Sequence, residues 1–303
     1  MAARIWLTLP TFNEVGNIER VVRDALAQLE RLAPGDHRVL IVDDASPDGT
    51  GELADRLAAE LPAVAVLHRR DKQGLGAAYL SGFECALAGG ADLVLVMDAD
   101  YSHDPAHLPA ILAAARTSDL VLGSRYVPGG EVIDWPRLRR VLSRAGSLYA
   151  RSILGVEIRD LTGGYRCIRR EVLERVELTT LRSQGYVFNI ELTFRALQAG
   201  FRVTEVPIHF RDRTVGESKI SLAIAVEALW LVPVLRFPAI SRVWPAHSVQ
   251  LDSDALSADT VGPAEFSAGA SDASGFSAAG AAPTLPEPAA ERPPVLSQQS
   301  APK

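Results

Sequence analysis

With 303 residues, 48% hydrophobic and 22% charged, the chain has the composition of one large α/β domain or two small ones, which excludes a wholly disordered or fibrous protein. The net charge of −6 is unevenly spread: residues 246–303 carry seven acids and two bases, leaving the remainder close to neutral. That balance argues against nucleic acid as a partner.

The opening MAARIWLTLP has one Arg and a short apolar run broken at Pro10, so it reads as a first strand over Arg4 to Leu9 and not as a signal peptide. The loop PTFNEVGN follows. A helix then begins near Ile18, with Val21, Val22, Ala25, Leu26 and Leu29 at helical spacing. Val39 to Val42 is a second strand, ending in DDASPDGTG, a turn-forming cluster headed by acids. Leu53 to Leu61 reads as a helix, Val64 to His68 as a third strand, and KQGLG as a loop feeding a helix over Ala77 to Leu87.

Leu93 to Met97 is short and wholly apolar, as a buried strand would be, and it runs into Asp98 and Asp100. Buried carboxylates are costly unless paired or bound to a metal. Two of them at a strand exit suit a divalent cation shared with an anionic ligand, since Mg²⁺ and Mn²⁺ take oxygen ligands. An isolated DxD fits equally well with solvated loop acids, or with a cap for the helix predicted over Pro105 to Ala115. Asp119 to Gly123 forms a fifth strand leading into SRY. Such strand–helix alternation predicts a parallel sheet, and ligands of such sheets bind beyond the carboxyl ends of the strands. Glu14, the DDAS acids and the DAD acids all fall there.

From Trp135 to Leu154, apolar Leu138, Val141, Leu142, Ala145, Leu148, Tyr149 and Ile153 share one helical face, with Arg137, Arg139, Arg140, Arg144 and Arg151 around the rest. This reads as an interfacial helix, or as a solvated Arg-rich helix packed on the core by its apolar side. Gly163 and Gly164 make a turn before a short strand at Tyr165 to Ile168. A helix over Val187 to Gln198 carries Glu191 and Arg195, and Phe201 to Phe210 is a last strand. RDRTVGESK then places Arg211, Arg213 and Lys219 around Gly216, a pattern suited to a lid over phosphates. Ser221 to Ile240 is apolar but interrupted by Glu227, Pro233 and Arg236, so a helix lying on the domain or on a membrane surface is expected in place of a span. Beyond Ala246 an Ala/Ser/Pro-rich tail is expected to be disordered. Cys85 and Cys167 lie in no CxxC pair or ligand spacing and read as free structural thiols of a reducing compartment.

PTFNE, DDASPDGT, DAD, GSRY and RDRTVGESK occur in the order found in GT-A-fold, family-2 glycosyltransferases. Over roughly Ile5 to Phe237 the chain resembles the polyprenol (dolichol) monophosphomannose synthases among them. The resemblance implies an α/β, Rossmann-like catalytic domain over 1–240 with a mostly parallel sheet. It makes 135–154 an acceptor-side amphipathic helix and 221–240 an interfacial helix, and leaves 246–303 as a tail. It further implies inverting transfer of mannose from GDP-mannose to a polyprenyl monophosphate, with Mg²⁺ or Mn²⁺ as cofactor. The enzyme would sit on the cytoplasmic face of a membrane, with an integral membrane protein as a further partner.

Carried onto this sequence, the donor-binding positions are Pro10, Phe12, Glu14, Val42, Asp44, Asp98, Ala99 and Asp100. The family usually has Tyr where Phe12 stands, so any bond through that hydroxyl is lost. Asp100 is the implied main metal ligand, with Asp98 beside it. Ser102 stands where some relatives place a ligating Gln. Arg125, Arg213 and Lys219 would hold the diphosphate and the incoming lipid phosphate. Glu191 is the candidate base for a hydroxyl acceptor, against an i,i+4 ion pair with Arg195. The competing readings are a UDP-glucose-dependent enzyme, a sugar-hydroxyl acceptor, and a non-catalytic membrane-bound module.

Overall fold

The computed structural model describes residues 3–178, 181, 185–212 and 222–237. Its centre is a seven-stranded sheet built from β1 (Ile5–Thr11), β2 (His37–Asp43), β3 (Val64–His68), β4 (Leu93–Val96), β5 (Leu120–Ser124), β7 (Arg166–Arg169) and β8 (Val203–Pro207). The order is β3-β2-β1-β4-β7-β5-β8. Every pairing is parallel except those of β7, which runs antiparallel to both β4 and β5. The predicted parallel sheet is thus mostly parallel. The exception follows from where β7 starts: a Cβ on Gly164, just before it, would lie 3.2 Å from Asp98 Oδ1 at the exit of β4. A strand that begins at the carboxyl end of its neighbour can only run back.

The apolar strands are buried on both faces, as crossover helices require. On one face Leu7, Leu9, Ile41, Leu95 and Met97 pack against α1 (Ile18–Leu32), α2 (Thr50–Glu60) and α4 (Leu108–Ala114). On the other, Trp6, Val42, Val94 and Val96 meet α3 (Leu75–Ala88), α6 (Arg170–Arg175) and α7 (Gly185–Gln198). The predicted helix over Pro105 to Ala115 opens as a 3₁₀ turn, Pro105–His107, capped by the Asp104 carboxylate accepting from Ala106 N–H.

Two expectations change. The predicted single strand over 201–210 divides at Ile208 into β8 and β9 (His209–Arg211), and β9 pairs with β6 (Glu131–Ile133), a strand with no sequence signal. Pro207 has no N–H to extend a ladder, and Ile208 is buried against Gly123. The helix α5 (Arg137–Leu154) buries only Ser147, Ala150 and Leu154, whereas Leu138 is 70% exposed and Val141 and Leu142 62% each. The stripe is therefore exposed at Leu138, Val141, Leu142 and Leu148, whereas Tyr149 and Ile153 at its C-terminal end pack on the core, so each alternative holds for one part of the helix. Tyr149 Oη donates to the Leu229 carbonyl of α8 (Leu222–Arg236) at 2.7 Å, and Leu229 and Trp230 extend the exposed apolar surface. No helix among the described residues is long and apolar enough to cross a membrane. The tail expected over 246–303 lies outside the described residues.

At the foot of β3's exit, His68 stands between Asp43 (3.6 Å) and Asp55 (2.8 Å). The bond to Asp43, outweighing burial and aided by Asp55, raises its pKa from 6.5 to about 9. A folded value above the unfolded one stabilises the protein fully below pH 6.5, and the contribution disappears as pH rises through about 9. Because His68 is partly exposed the contribution is modest. His68→Gln should flatten the stability profile between those pH values in urea titrations; an unchanged slope would contradict the assignment.

Candidate active site

The strand order reverses between β1 and β4: from β1 the chain goes outward to β2 on one side, and β4 lies on the other. Such a switch point opens a crevice beyond the strand ends. The loops leaving β1, β2 and β4 meet there, and each contains a non-glycine residue in the left-handed region: Asn13 at φ 58°, Ala45 at 57° and Tyr101 at 63°. Left-handed backbone costs free energy for such residues and clusters at functional loops.

The first two loops are tied together. Asn13 N–H donates to Ser46 Oγ at 3.1 Å, Glu14 N–H to Thr50 Oγ1 at 2.9 Å and Val15 N–H to Asp48 Oδ2 at 3.2 Å. Asp48 is pulled below the ordinary carboxylate range: burial opposes this, but the bonds from Thr50 and Val15 prevail. Pro10 faces Val42 across the β1–β2 pair, both buried. Glu14 is buried, and its Oε2 accepts from Asn17 Nδ2 at 3.0 Å.

Asp44 is also buried, and its carboxylate anchors the loop between β3 and α3. It accepts from the Arg69 guanidinium, from Gln73 N–H at 3.3 Å and from Gly74 N–H at 3.1 Å. The same loop lays the Lys72 ammonium 3.7 Å over the Phe12 ring. Neither Arg69, Lys72 nor Gln73 was prominent in the sequence. Their signal was position alone, directly after a strand whose carboxyl end faces the crevice.

At the exit of β4 the two acids differ. The Asp98 side chain is 25% exposed. Its N–H donates to His103 Nδ1 at 3.1 Å. Asp100 is buried and its Oδ1 accepts from Ser102 N–H at 3.0 Å. Ser102 Oγ is buried without a hydrogen-bond partner. Ala99, between the two acids, faces the α1 side of the core. His103 is fully enclosed, and burial lowers its pKa despite the pull of Asp98 and Asp100, so the ring is neutral. With Nδ1 accepting, Nε2 carries the proton. His103 thus fixes the backbone of the DAD loop, a role that the sequence pattern did not single out.

Arg125 follows β5. Its Nε and Nη2 form a bidentate pair with Asp160, both at 2.7 Å, and its N–H donates to the same carboxylate at 3.0 Å. Trp135, Phe210 and Tyr126 surround the guanidinium, with ring centroids 5.2–5.6 Å away. Asp160 opens the DLTGG turn, and Arg166 locks that turn from below. Arg166 is buried and bonded to the carbonyls of Leu161, Gly163 and Asn189 and to Thr193 Oγ1, and burial lowers its pKa to about 10. The turn therefore ties Arg125 to the DAD loop, which Gly164 touches.

β9 covers the same loop. Arg211 N–H donates to the Ser102 carbonyl at 3.3 Å, and His103 forms an isolated bridge with Phe210. Arg139 at the start of α5 stacks on Trp135 at 4.0 Å and pairs with Asp212 at 2.9 Å. Arg213 and Lys219 lie outside the described residues. Glu191 pairs with Arg195 at 2.5 Å and is fully buried, the ion-pair alternative raised by its spacing.

These residues fit a divalent cation as an incomplete donor set: two carboxylates and an unpartnered buried hydroxyl at one strand exit. Among the described residues no group of three or more His, Cys, Asp or Glu would hold a metal unaided. An ion that takes only one or two carboxylates and completes its shell with substrate phosphates and water matches such a set.

Residues 7–177 match the family described as Glycosyl transferase family 2, a stretch that contains every loop just described except β9. The chain belongs to glycosyl transferase family 2. As a family-2 glycosyltransferase it is 47% identical over 242 residues to the undecaprenyl-phosphate mannosyltransferase of Micrococcus luteus, covering 79% of this chain and 96% of that protein. It is 48% identical over 231 residues to the polyprenol monophosphomannose synthase of Mycolicibacterium smegmatis, covering 76% and 85%. Among solved structures, glucosyl-3-phosphoglycerate synthase from Mycobacterium tuberculosis with Mn²⁺, UDP-glucose and phosphoglyceric acid superposes with a TM-score of 0.56 at 21% identity, covering 78% of this chain and 80% of that one. A mannosyltransferase from Pyrobaculum calidifontis with GDP-mannose and Mn²⁺ does so at 0.51 and 18% identity, covering 82% and 66%. At such identities the likeness concerns the fold of this glycosyltransferase.

Proposed function

We propose that this glycosyltransferase moves mannose from GDP-mannose to the phosphate of a polyprenyl monophosphate, with inversion, giving polyprenyl phosphate β-mannose and GDP. The observation that carries the reading is the identity of nearly one residue in two to lipid-phosphate mannosyltransferases, over almost the whole length of one of them. The geometry supports it. A phosphate acceptor is already ionised at neutral pH, so no general base is required. The acid best placed by sequence to be one, Glu191, is closed in an ion pair.

In this reading Phe12 lies against the base or ribose, Glu14 and Asp44 take polar contacts of the nucleoside, and Ala99 meets the nucleotide through its backbone. Asp100 and Asp98, with Ser102 Oγ beside them, hold Mg²⁺ or Mn²⁺. When bound, the ion neutralises charge building on the leaving diphosphate. Arg213 and Lys219 contribute from the segment after β9. Arg125, braced by Asp160, presents guanidinium N–H groups to the phosphates in a fixed orientation, which is effective because they need no reorganisation during the reaction. The exposed apolar residues Leu138, Val141, Leu142 and Leu148 of α5, with Leu229 and Trp230 of α8, rest on the cytoplasmic face of an anionic bilayer and let the prenyl chain approach.

One assay tests this: full-length protein, Mn²⁺, and polyprenyl phosphate in anionic vesicles, with GDP-mannose or UDP-glucose as donor. Mannosyl lipid should form and the protein should sediment with the vesicles. A preference for UDP-glucose, or protein left in the supernatant, would contradict the donor or the membrane assignment respectively.

A further inference from the structure

The loop Arg69–Gly74 suggests how the base of the donor is chosen, and the inference rests on the proposed placement of the base beside Asp44. A carboxylate offers about four lone-pair positions. Asp44 Oδ1 has both of its own engaged, by the Arg69 guanidinium and by Gln73 N–H, and Oδ2 has one engaged, by Gly74 N–H. One acceptor position is left, on Oδ2. Gly74 sits at φ 93°, ψ 175°, a conformation open essentially to glycine, so its N–H is held on Asp44 by the backbone itself.

The Gln73 side chain is oriented by the same guanidinium. Its Oε1 accepts from Arg69 Nη2 at 2.8 Å. Arginine has only donors, so the carboxamide cannot be reversed, and the group it has left to offer is the Nε2 amide, a donor. Two nitrogens of one guanidinium thus hold Asp44 and Gln73 together, leaving an acceptor position on Asp44 Oδ2 and the Gln73 Nε2 amide as donor.

We propose that Gln73 is a specificity-determining residue that, with Asp44, selects keto bases over amino bases in the donor nucleotide. Guanine presents N1–H beside C6=O, and uracil N3–H beside C4=O, both complementary to this pair. Adenine and cytosine present a ring nitrogen lone pair beside an amino group, the reverse pattern, which would set a lone pair against a buried carboxylate. A site built to make specific hydrogen bonds rejects ligands that leave its groups unpaired. The count has a second consequence. Asp44 has no position for the 2-amino group of guanine, so hypoxanthine should serve nearly as well.

Calorimetry with the full chain and Mn²⁺ tests both. Wild-type protein should bind GDP and IDP within about threefold of each other, and each on the order of tenfold or more tighter than ADP, the scale of one hydrogen bond made or lost. Gln73→Glu keeps the acceptor for Arg69 but replaces the donor. It should weaken GDP and IDP by on the order of tenfold or more without weakening ADP. Equal weakening of all three would mean that Gln73 only props the loop, and unchanged GDP binding would remove it from recognition; either overturns the inference, as does IDP binding far weaker than GDP. If the wild type instead prefers UDP, the GDP-mannose reading fails. This inference would then stand on a UDP-over-CDP preference that Gln73→Glu abolishes, and would fall without it.

Discussion

Asp100→Ala is expected to reduce cation-dependent glycosyl transfer by about 10²–10³-fold in kcat/KM, the range seen when a group stabilising developing charge is removed. The fold should survive. The side chain is buried, and each neutral partner that the substitution strands, the Ser102 N–H among them, costs about 1–3 kcal/mol. Mn²⁺ titration should show weakened binding in the presence of GDP, with an unchanged circular dichroism spectrum. The more exposed Asp98 should give a smaller loss on the same substitution. Wild-type rates for Asp100→Ala would exclude the metal role.

Asp160→Ala is expected to have the largest effect on stability, about 3–5 kcal/mol, because it removes a buried carboxylate paired with the buried Arg125 guanidinium. Three bonds from Arg125 end on this one carboxylate. Its pKa is held below the usual range, since the charge and bonds of Arg125 outweigh burial. A depressed carboxylate contributes stability that is present above its unfolded value near 3.9 and lost only as pH falls through the folded value. The wild-type pair should therefore resist mild acid. Asp160→Asn should retain part of the fold stability yet lose transfer, because Arg125 would no longer be held in one orientation. Urea denaturation together with kcat/KM checks both, and an Asp160→Asn enzyme with native activity would show that the brace does not matter to the site.

Much of the fold was legible because the strands are short apolar runs and the helices carry a clear 3.6 period. What escaped was set by tertiary contact. β6 is three residues long and exists by pairing with β9. β9 separates from β8 at Ile208, whose N–H still donates to Ser124 of β5 while its carbonyl accepts from Glu131 N–H of β6. The antiparallel β7 depends on where the Gly163–Gly164 turn lies in space, which periodicity does not encode. Among the site residues, Asp98, Asp100, Glu14 and Asp44 were visible as acids at strand exits. Arg125 was visible through its motif, but its partner Asp160, 35 residues on, was not, since no local pattern announces a long-range ion pair. His103, Arg69 and Gln73 were missed for the same reason. α5 shows the opposite limit: its amphipathic pattern was plain, and only the structure decided that Leu138, Val141, Leu142 and Leu148 are exposed while Tyr149 and Ile153 meet the core.

The proposed acceptor is a lipid phosphate that attacks without help from a base. The most direct measurement gives the full-length protein GDP-mannose and Mn²⁺ with polyprenyl monophosphate and a mannoside in equal amounts, followed by mass analysis of the products. Mannosylated polyprenyl phosphate should form, at a rate per folded molecule that is undiminished in Glu191→Gln. Mannose transferred chiefly to the sugar hydroxyl, with loss of activity in Glu191→Gln, would contradict it.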